Sequence, residues 1–231
     1  MRPRRLPSVS QFCKRLKAER ISLVIRRVHE LLSGQDESIA LGYIDGKALP
    51  ISESSKDPDA RTGHGNGKFS LGYKLHAPGD SLGSIRDFRV RPMNAGEPPI
   101  AREHLVDHIP AVALIIADAN DDGKDLYTDV GQRGAFLLTP QKRNRRSELA
   151  WRNTSPERRE AMAIWRDRPK LARRVYALRS GIERIFSALS CYGGGLWPLP
   201  AWVRRTERVQ RWVTAKIAIY NARVLLRTAP S

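Results

Sequence analysis

Apolar positions recur at helical spacing from the start of the chain. Between residues 8 and 33, Phe12, Leu16, Ile21, Val24, Ile25, Val28, Leu31 and Leu32 predict one helix, opened by Ser8 or Ser10 and closed at Ser33-Gly34. The period then shortens. ALGYID (40–45) suits a buried strand with Asp45-Gly46 at its end, and 50–67 is a polar loop. KFSLGYKLHAP (68–78) alternates, with Phe69, Leu71, Tyr73 and Leu75 on one side. SIRDFRVRP (84–92) follows a turn at Gly79-Asp80 and completes an antiparallel hairpin. AVALIIA (111–117) is the most apolar run and predicts a central strand buried on both faces, with helices at 96–108 and 122–132 beside it. GAFLLT (134–139) predicts a further strand. A loop with a short helix (141–170), a helix at 170–190 and a last helix at 201–228 complete the chain.

Strands that begin as a hairpin and go on with helices between them predict an α/β fold, its mixed sheet antiparallel in one part and parallel in the other. The expected organisation is a short helical N-terminal segment, 1–38, and one domain over 39–231 whose part 141–231 is basic and helical.

Charge sharpens that picture. Of 231 residues, 41 are Lys or Arg and 24 Asp or Glu, a net of +17. Residues 1–40 contribute +5, 41–140 contribute −3 and 141–231 contribute +15. An acidic middle between basic ends suits a protein that holds divalent cations beside nucleic acid better than one that only coats it. Two cysteines, Cys13 and Cys191, make no disulfide framework and fit a reducing cytoplasm. No signal peptide or apolar run long enough to cross a bilayer is present, so no membrane partner is expected.

Asp45 and Asp118 each follow a short apolar strand. On neighbouring parallel strands they would meet at the carboxyl edge where open α/β sheets bind ligands, and two adjacent carboxylates repel unless a cation lies between them. Either is equally readable as a turn or cap residue. Glu183 bears on the choice. Leu171, Val175, Leu178, Ile182, Ile185 and Leu189 form a core stripe, and Tyr176, Arg179 and Glu183 form a second stripe beside it. A Glu bordering a buried face needs a partner, and Arg179 at i−4 offers an ordinary one.

These residues resemble a family. Asp45-Gly46, IIAD ending at Asp118, and LRSGIERIFSAL around Glu183 are similar to the DDE transposases of bacterial insertion sequences. In the closest group a Tyr is followed by Arg, Glu and Lys at fixed spacing, and Tyr176, Arg179 and Glu183 match it, as GYKLH (72–76) matches its second-strand segment. The resemblance implies a ribonuclease H-like fold and two Mg²⁺ or Mn²⁺ ions held by Asp45, Asp118 and Glu183. It also implies strand cleavage and strand transfer on duplex DNA at element ends, by a homodimer in a bacterial cytoplasm, associated with the nucleoid. Arg179 would contact a phosphate and Tyr176 would support the DNA end. The signature's Lys position is taken by Ser190, with Arg184 as a substitute, and Asp121 stands where relatives often carry Tyr. Relatives also carry a larger helical end-binding domain than about 40 residues allow. A truncated or catalytically decayed DNA-binding remnant is therefore the alternative.

The basic run QKRNRR, with Lys142, Arg143, Arg145 and Arg146, joins VRRTERVQR (203–211) as a prospective phosphate surface. Of the five tryptophans most are expected in the core, with one or two left to stack on DNA. His104 and His108 have zinc-like spacing but no third ligand, and TGHGNGK (62–68) fails as a phosphate-binding P-loop and reads as a glycine loop.

Overall fold

The computed structural model describes residues 8–16, 18–33, 41–65, 67–106, 113–142, 154–191 and 195–228. Its centre is one mixed sheet. β1 (Leu41–Pro50) lies between β3 (Lys68–Asp80), antiparallel to it, and β5 (Leu114–Ile116), parallel to it. β6 (Phe136–Leu138) continues the parallel side, while β2 (Arg61–Gly65) and β4 (Arg89–Pro92) share the outer edge of β3. The expected hairpin is β3–β4. The expected glycine loop is instead the tip of a second hairpin, β2–β3, turned at Gly67 with a φ of 78°. The polar residues of β2 hid it from a pattern search.

Period-2 alternation along β1 feeds two cores. Tyr43 and Leu49 face one side with Tyr73, Leu75 and Ile116; Ile44 faces the other with Ile115, Ala117 and Leu137. The second side is covered by α4 (Lys124–Gln132) and α5 (Pro156–Asp167), through Leu126, Tyr127, Val130 and Ala161. α5 starts as its sequence asks, with Ser155 Oγ accepting from Arg158 N and Pro156 in the first turn. α3 (Glu97–Ile100) runs on into a wide turn at Ala101–Leu105; the side chain of His104, and His108, lie outside the described residues.

The first side is covered by α7 (Ser180–Cys191) and α8 (Thr206–Thr228). The predicted helix at 170–190 is interrupted: α6 (Pro169–Tyr176) is joined to α7 by a 3₁₀ turn, Ala177–Arg179. That tighter turn rotates the two halves relative to one another. Leu171 and Leu178 are consequently exposed, and only the second half of the predicted stripe, Ile182, Ile185 and Leu189, is buried, joined by Phe186. The N-terminal helix is likewise two, α1 (Val9–Leu16) and α2 (Glu19–Leu32), broken at Ala18. α2 packs on α8, yet Leu23, Val24, Val28 and Leu31 remain exposed and His29 is its buried residue.

α8 also completes the sheet. Buried Asn221 accepts from Ile85 N at 3.1 Å and donates to Ile85 O at 2.8 Å, and Gln210 accepts from Val90 N at 2.9 Å. Backbone groups beside β3 and in β4 are thus satisfied by helix side chains, which closes an edge that would otherwise invite another strand. No described tryptophan is fully buried: Trp197 is 50% and Trp202 38% exposed, a departure from the expected core role. Among the described residues no helix is long and apolar enough to cross a membrane.

Candidate active site

The parallel register places the first two acids. Tyr43 pairs with Ile116, and Asp45 and Asp118 each lie two residues further on. Adjacent strands run about 4.8 Å apart, so the two residues stand side by side. Both fall on the face that carries Tyr43 and Ile116, the side covered by α7. Asp45 is not at a strand end, as expected from ALGYID. It sits inside β1, paired across to Ala77 of β3. β5 stops at Ile116, and Asp118 caps the short 3₁₀ turn Ala119–Asp121 by accepting from Asn120 N at 2.5 Å.

Glu183 is brought in from α7, and Gly181 sets how near α7 can come. A Cβ at Gly181 would lie 2.6 Å from the Tyr43 hydroxyl and ring, so the glycine lets the helix rest directly on that ring, and a larger residue would have to displace it. Glu183 does not border a buried face: its side chain is 62% exposed. The ordinary helical pair forms, Arg179 Nη1 to Glu183 Oε1 at 2.9 Å, and the same guanidinium donates from Nη2 to Asp45 Oδ2 at 3.0 Å. One arginine therefore binds acids that are far apart in sequence. Burial disfavours its charge, but Asp45, Tyr176, Asp118 and Glu183 outweigh that and raise its pKa. Tyr176 is raised by burial, opposed by Arg179 and assisted by all three acids. Every acid of the predicted set thus acts on Arg179 and Tyr176.

Three carboxylates offer only oxygen donors, which suits a hard divalent cation. Two of them, Asp45 and Glu183, are bonded to one planar guanidinium, however, and among the described residues no three acidic, histidine or cysteine side chains are gathered closely enough to hold a metal. The donor chemistry fits such an ion, and the spacing is that of Arg179.

The other predicted residues are distributed differently. Tyr176 is half-buried, edge-on to Trp165 at 5.8 Å, and the Trp165 indole donates to Thr139 O at the end of β6. The sequence reads Trp165 only as one of five tryptophans shared between core and DNA stacking, with no link to Tyr176. Arg184 is exposed and lines a cavity of about 280 Å³ with Tyr43, Asp80 and Tyr220, a lining that includes none of Asp45, Asp118 and Glu183. Lys142 donates its backbone N–H to Asp122, while Arg143, Arg145 and Arg146 lie outside the described residues. Ser190, at the signature's Lys position, turns inward and donates to Phe186 O at 2.8 Å. Neither Asp121 nor Asp122 caps α4, whose N-cap is Gly123. Asp122 is instead buried in a bidentate pair with Arg158, at 2.6 and 3.0 Å.

A sheet with this strand order, antiparallel on one side of β1 and parallel on the other, and helices on both faces, is the ribonuclease H-like architecture of the DDE transposases. Residues 37–221 match the family described as transposase DDE domain, and the chain belongs to that family. A transposase of insertion sequence element IS1106 from Neisseria meningitidis serogroup B is 34% identical over 88 residues, which is 36% of this chain and 27% of that protein. A piggyBac transposase, solved in a synaptic complex with hairpin DNA, superposes with a TM-score of 0.51 over 81% of this chain and 47% of its own, at 10% identity. At that identity the likeness is one of fold.

Proposed function

We propose that this chain cleaves DNA strands and transfers them at the ends of an insertion sequence, using Asp45, Asp118 and Glu183 as ligands for two Mg²⁺ or Mn²⁺ ions. The observation that carries this reading is the single guanidinium that bonds both Asp45 and Glu183, with Asp118 beside Asp45 by strand register. Family membership supports the reaction class, and this cluster supports Asp45, Asp118 and Glu183 as its place in the fold. Divalent ions bound there would activate the attacking oxygen and stabilise the leaving one.

The chain's own residues supply the rest. Asp45 is fixed by the ladders of β1 and by Gly46 N, which donates to its Oδ1 at 2.9 Å. Asp118 is fixed by Asn120. Glu183, on an exposed helix face, is the acid with most freedom to turn toward a ligand. With Asp45 and Glu183 engaged as ligands, the Arg179 guanidinium would be free to fork onto a phosphate. Tyr176, braced by Trp165, presents its ring and hydroxyl beside it. Lys142 and Arg184, with Arg143, Arg145 and Arg146, would add phosphate contacts on the duplex. Joining two ends asks for two copies, so a homodimer on DNA is part of the proposal, as is a place in the bacterial cytoplasm near the nucleoid.

The test is cleavage of a duplex carrying the element's ends by purified protein. We expect Mg²⁺-dependent nicking that Asp45→Ala, Asp118→Ala and Glu183→Ala each reduce by about three orders of magnitude or more, some 4 kcal/mol of barrier at 1.36 kcal/mol per decade. Equal cutting in chelator would end the metal mechanism. Ser190 favours a second reading, since its hydroxyl is spent on its own helix and brings no charge to the signature's Lys position. A catalytically decayed, DNA-binding remnant would show salt-sensitive binding and no cleavage at any divalent concentration.

A further inference from the structure

The polar loop after β1 has no part in the acidic site, yet the chain spends much of its bonding on holding it in place. Asp57 Oδ2 accepts from Arg205 N at 2.9 Å and from the Tyr73 hydroxyl at 2.7 Å, and Asp59 Oδ2 accepts from Thr206 N at 2.9 Å. Two carboxylates thus fasten the loop to the first residues of α8, and both are turned inward onto backbone and phenol. Burial opposes the charge on Asp57, while those hydrogen bonds and nearby Arg204 outweigh it and hold its carboxyl below the usual range.

Between loop and helix lies a concavity of about 510 Å³. Ser52, Ser54 and Lys56 line it from the loop, and Arg204, Arg205 and Arg208 from the turn and α8. Arg204 donates to Pro200 O and Val203 O and so braces the turn. Among the described residues, Lys56, Arg205 and Arg208 have no carboxylate partner. Four cations thus line a concavity whose one lining carboxylate, Asp57, is already bonded to Arg205 N and Tyr73, an excess of positive charge that attracts an anion.

Arg205 adds an independent sign. Its φ of 70° makes it the one described non-glycine residue in the left-handed region. Such backbone strain persists where surrounding structure imposes it, and it clusters at ligand clamps. Here Asp57 imposes it through Arg205 N, while the guanidinium stays exposed. Half-exposed Trp197 donates to Pro50 O at the mouth of the loop, and Trp202 stands beside Ala201. Cations interleaved with exposed aromatic rings suit a polynucleotide better than a lone small anion.

We propose that this cradle is a second DNA-anchoring point that grips backbone phosphates of duplex already engaged at the acidic site. It rests on the DNA reading above. Asp45 and Pro50 are five residues apart along β1, roughly 17 Å at 3.3 Å per residue, so the cradle cannot touch the scissile phosphate. It would hold the flank about five base pairs away, at ~3.4 Å per pair along a strand. The contacts carry charge and shape and no base sequence.

The experiment is fluorescence anisotropy of a labelled duplex with the full chain, from low to moderate salt, for wild type, for Arg208→Gln, and for Lys56→Gln/Arg205→Gln/Arg208→Gln. Each lost phosphate contact should lower the slope of log affinity against log salt by about 0.9, so the single variant should lose about 1 and the triple between about 2 and 3. A circular dichroism melt of each variant separates lost contacts from lost fold, and the single surface change keeps the test alive if the triple unfolds. Wild-type binding with unaltered slopes in folded variants would overturn the cradle alone. No salt-dependent binding by wild type would overturn the DNA reading and the cradle with it.

Discussion

Two arginines in this chain each hold carboxylates, and they are built to opposite ends. Arg158 and Asp122 have side chains 4% and 1% exposed and meet through two parallel hydrogen bonds, and their remaining capacity is filled by Thr154 and by Lys142 N. Arg179 is 19% exposed and splits its two bonds between Asp45 and Glu183, with its Nε buried and without a hydrogen-bond partner. The first pair is saturated and dry, so nothing can replace either member without leaving a buried charge. The second is shared and partly solvated, so either carboxylate can leave it without stranding a fully buried charge. The lesson is that the geometry of an ion pair distinguishes one that holds a fold from one that holds a place.

That contrast can be broken experimentally. Asp122→Asn should have the largest effect, costing about 3–5 kcal/mol in denaturant unfolding, because it strands the Arg158 charge in the interior. Replacing both partners with apolar residues should cost less than the single change. If it does not, the pair is more than a satisfied buried charge.

His76 sharpens the comparison from the other side, being as buried as Asp122 but with an unbonded Nε2. Burial, helped by Lys74 and Arg91, pushes its pKa down to about 3 from the usual 6.5. The unfolded chain therefore binds this proton more readily than the folded one. The contribution is full above about pH 6.5 and falls by up to about 1.4 kcal/mol per unit as the pH drops toward 3. His29, lowered chiefly by burial, acts in the same direction. Denaturant titrations at pH 7, 6 and 5 should show the loss, and His76→Phe should flatten it.

Arg179→Ala should have the smallest effect on stability, about 1 kcal/mol or less, because Glu183 is largely solvated. A cost near that of Asp122→Asn would erase the distinction between the two arginines.

How much of this was visible in the sequence depends on the range of the interaction involved. β1, β3, β5 and β6 announced themselves by periodicity, and the mixed topology followed from their order. β2 did not, because its glycines and charged residues carry no alternation. The break at Ala177–Arg179 was hidden because the residues around it are ordinary helix formers. Tyr176, Arg179 and Glu183 were legible as a spacing. That Arg179 reaches Asp45 was not, since it depends on how closely α7 lies on β1, and the absence of a side chain at Gly181 decides that. The four described tryptophans, Trp165, Trp197, Trp202 and Trp212, depart from the expected core role because side-chain size predicts burial only on average.

The closing of β4 and the Ile85 segment by Asn221 and Gln210 has a consequence for how the molecule is born. Asp45 and Asp118 leave the ribosome with their strands before α7 and α8 are made. Until α8 has emerged, the sheet keeps an unsatisfied margin and Glu183 has no settled support. A nascent chain therefore cannot assemble this site while most of it is being made, and a premature stop ahead of α7 leaves strands with two of the acids and no third. Synthesis order alone therefore keeps Asp45 and Asp118 without Glu183 until α7 and α8 have followed the sheet.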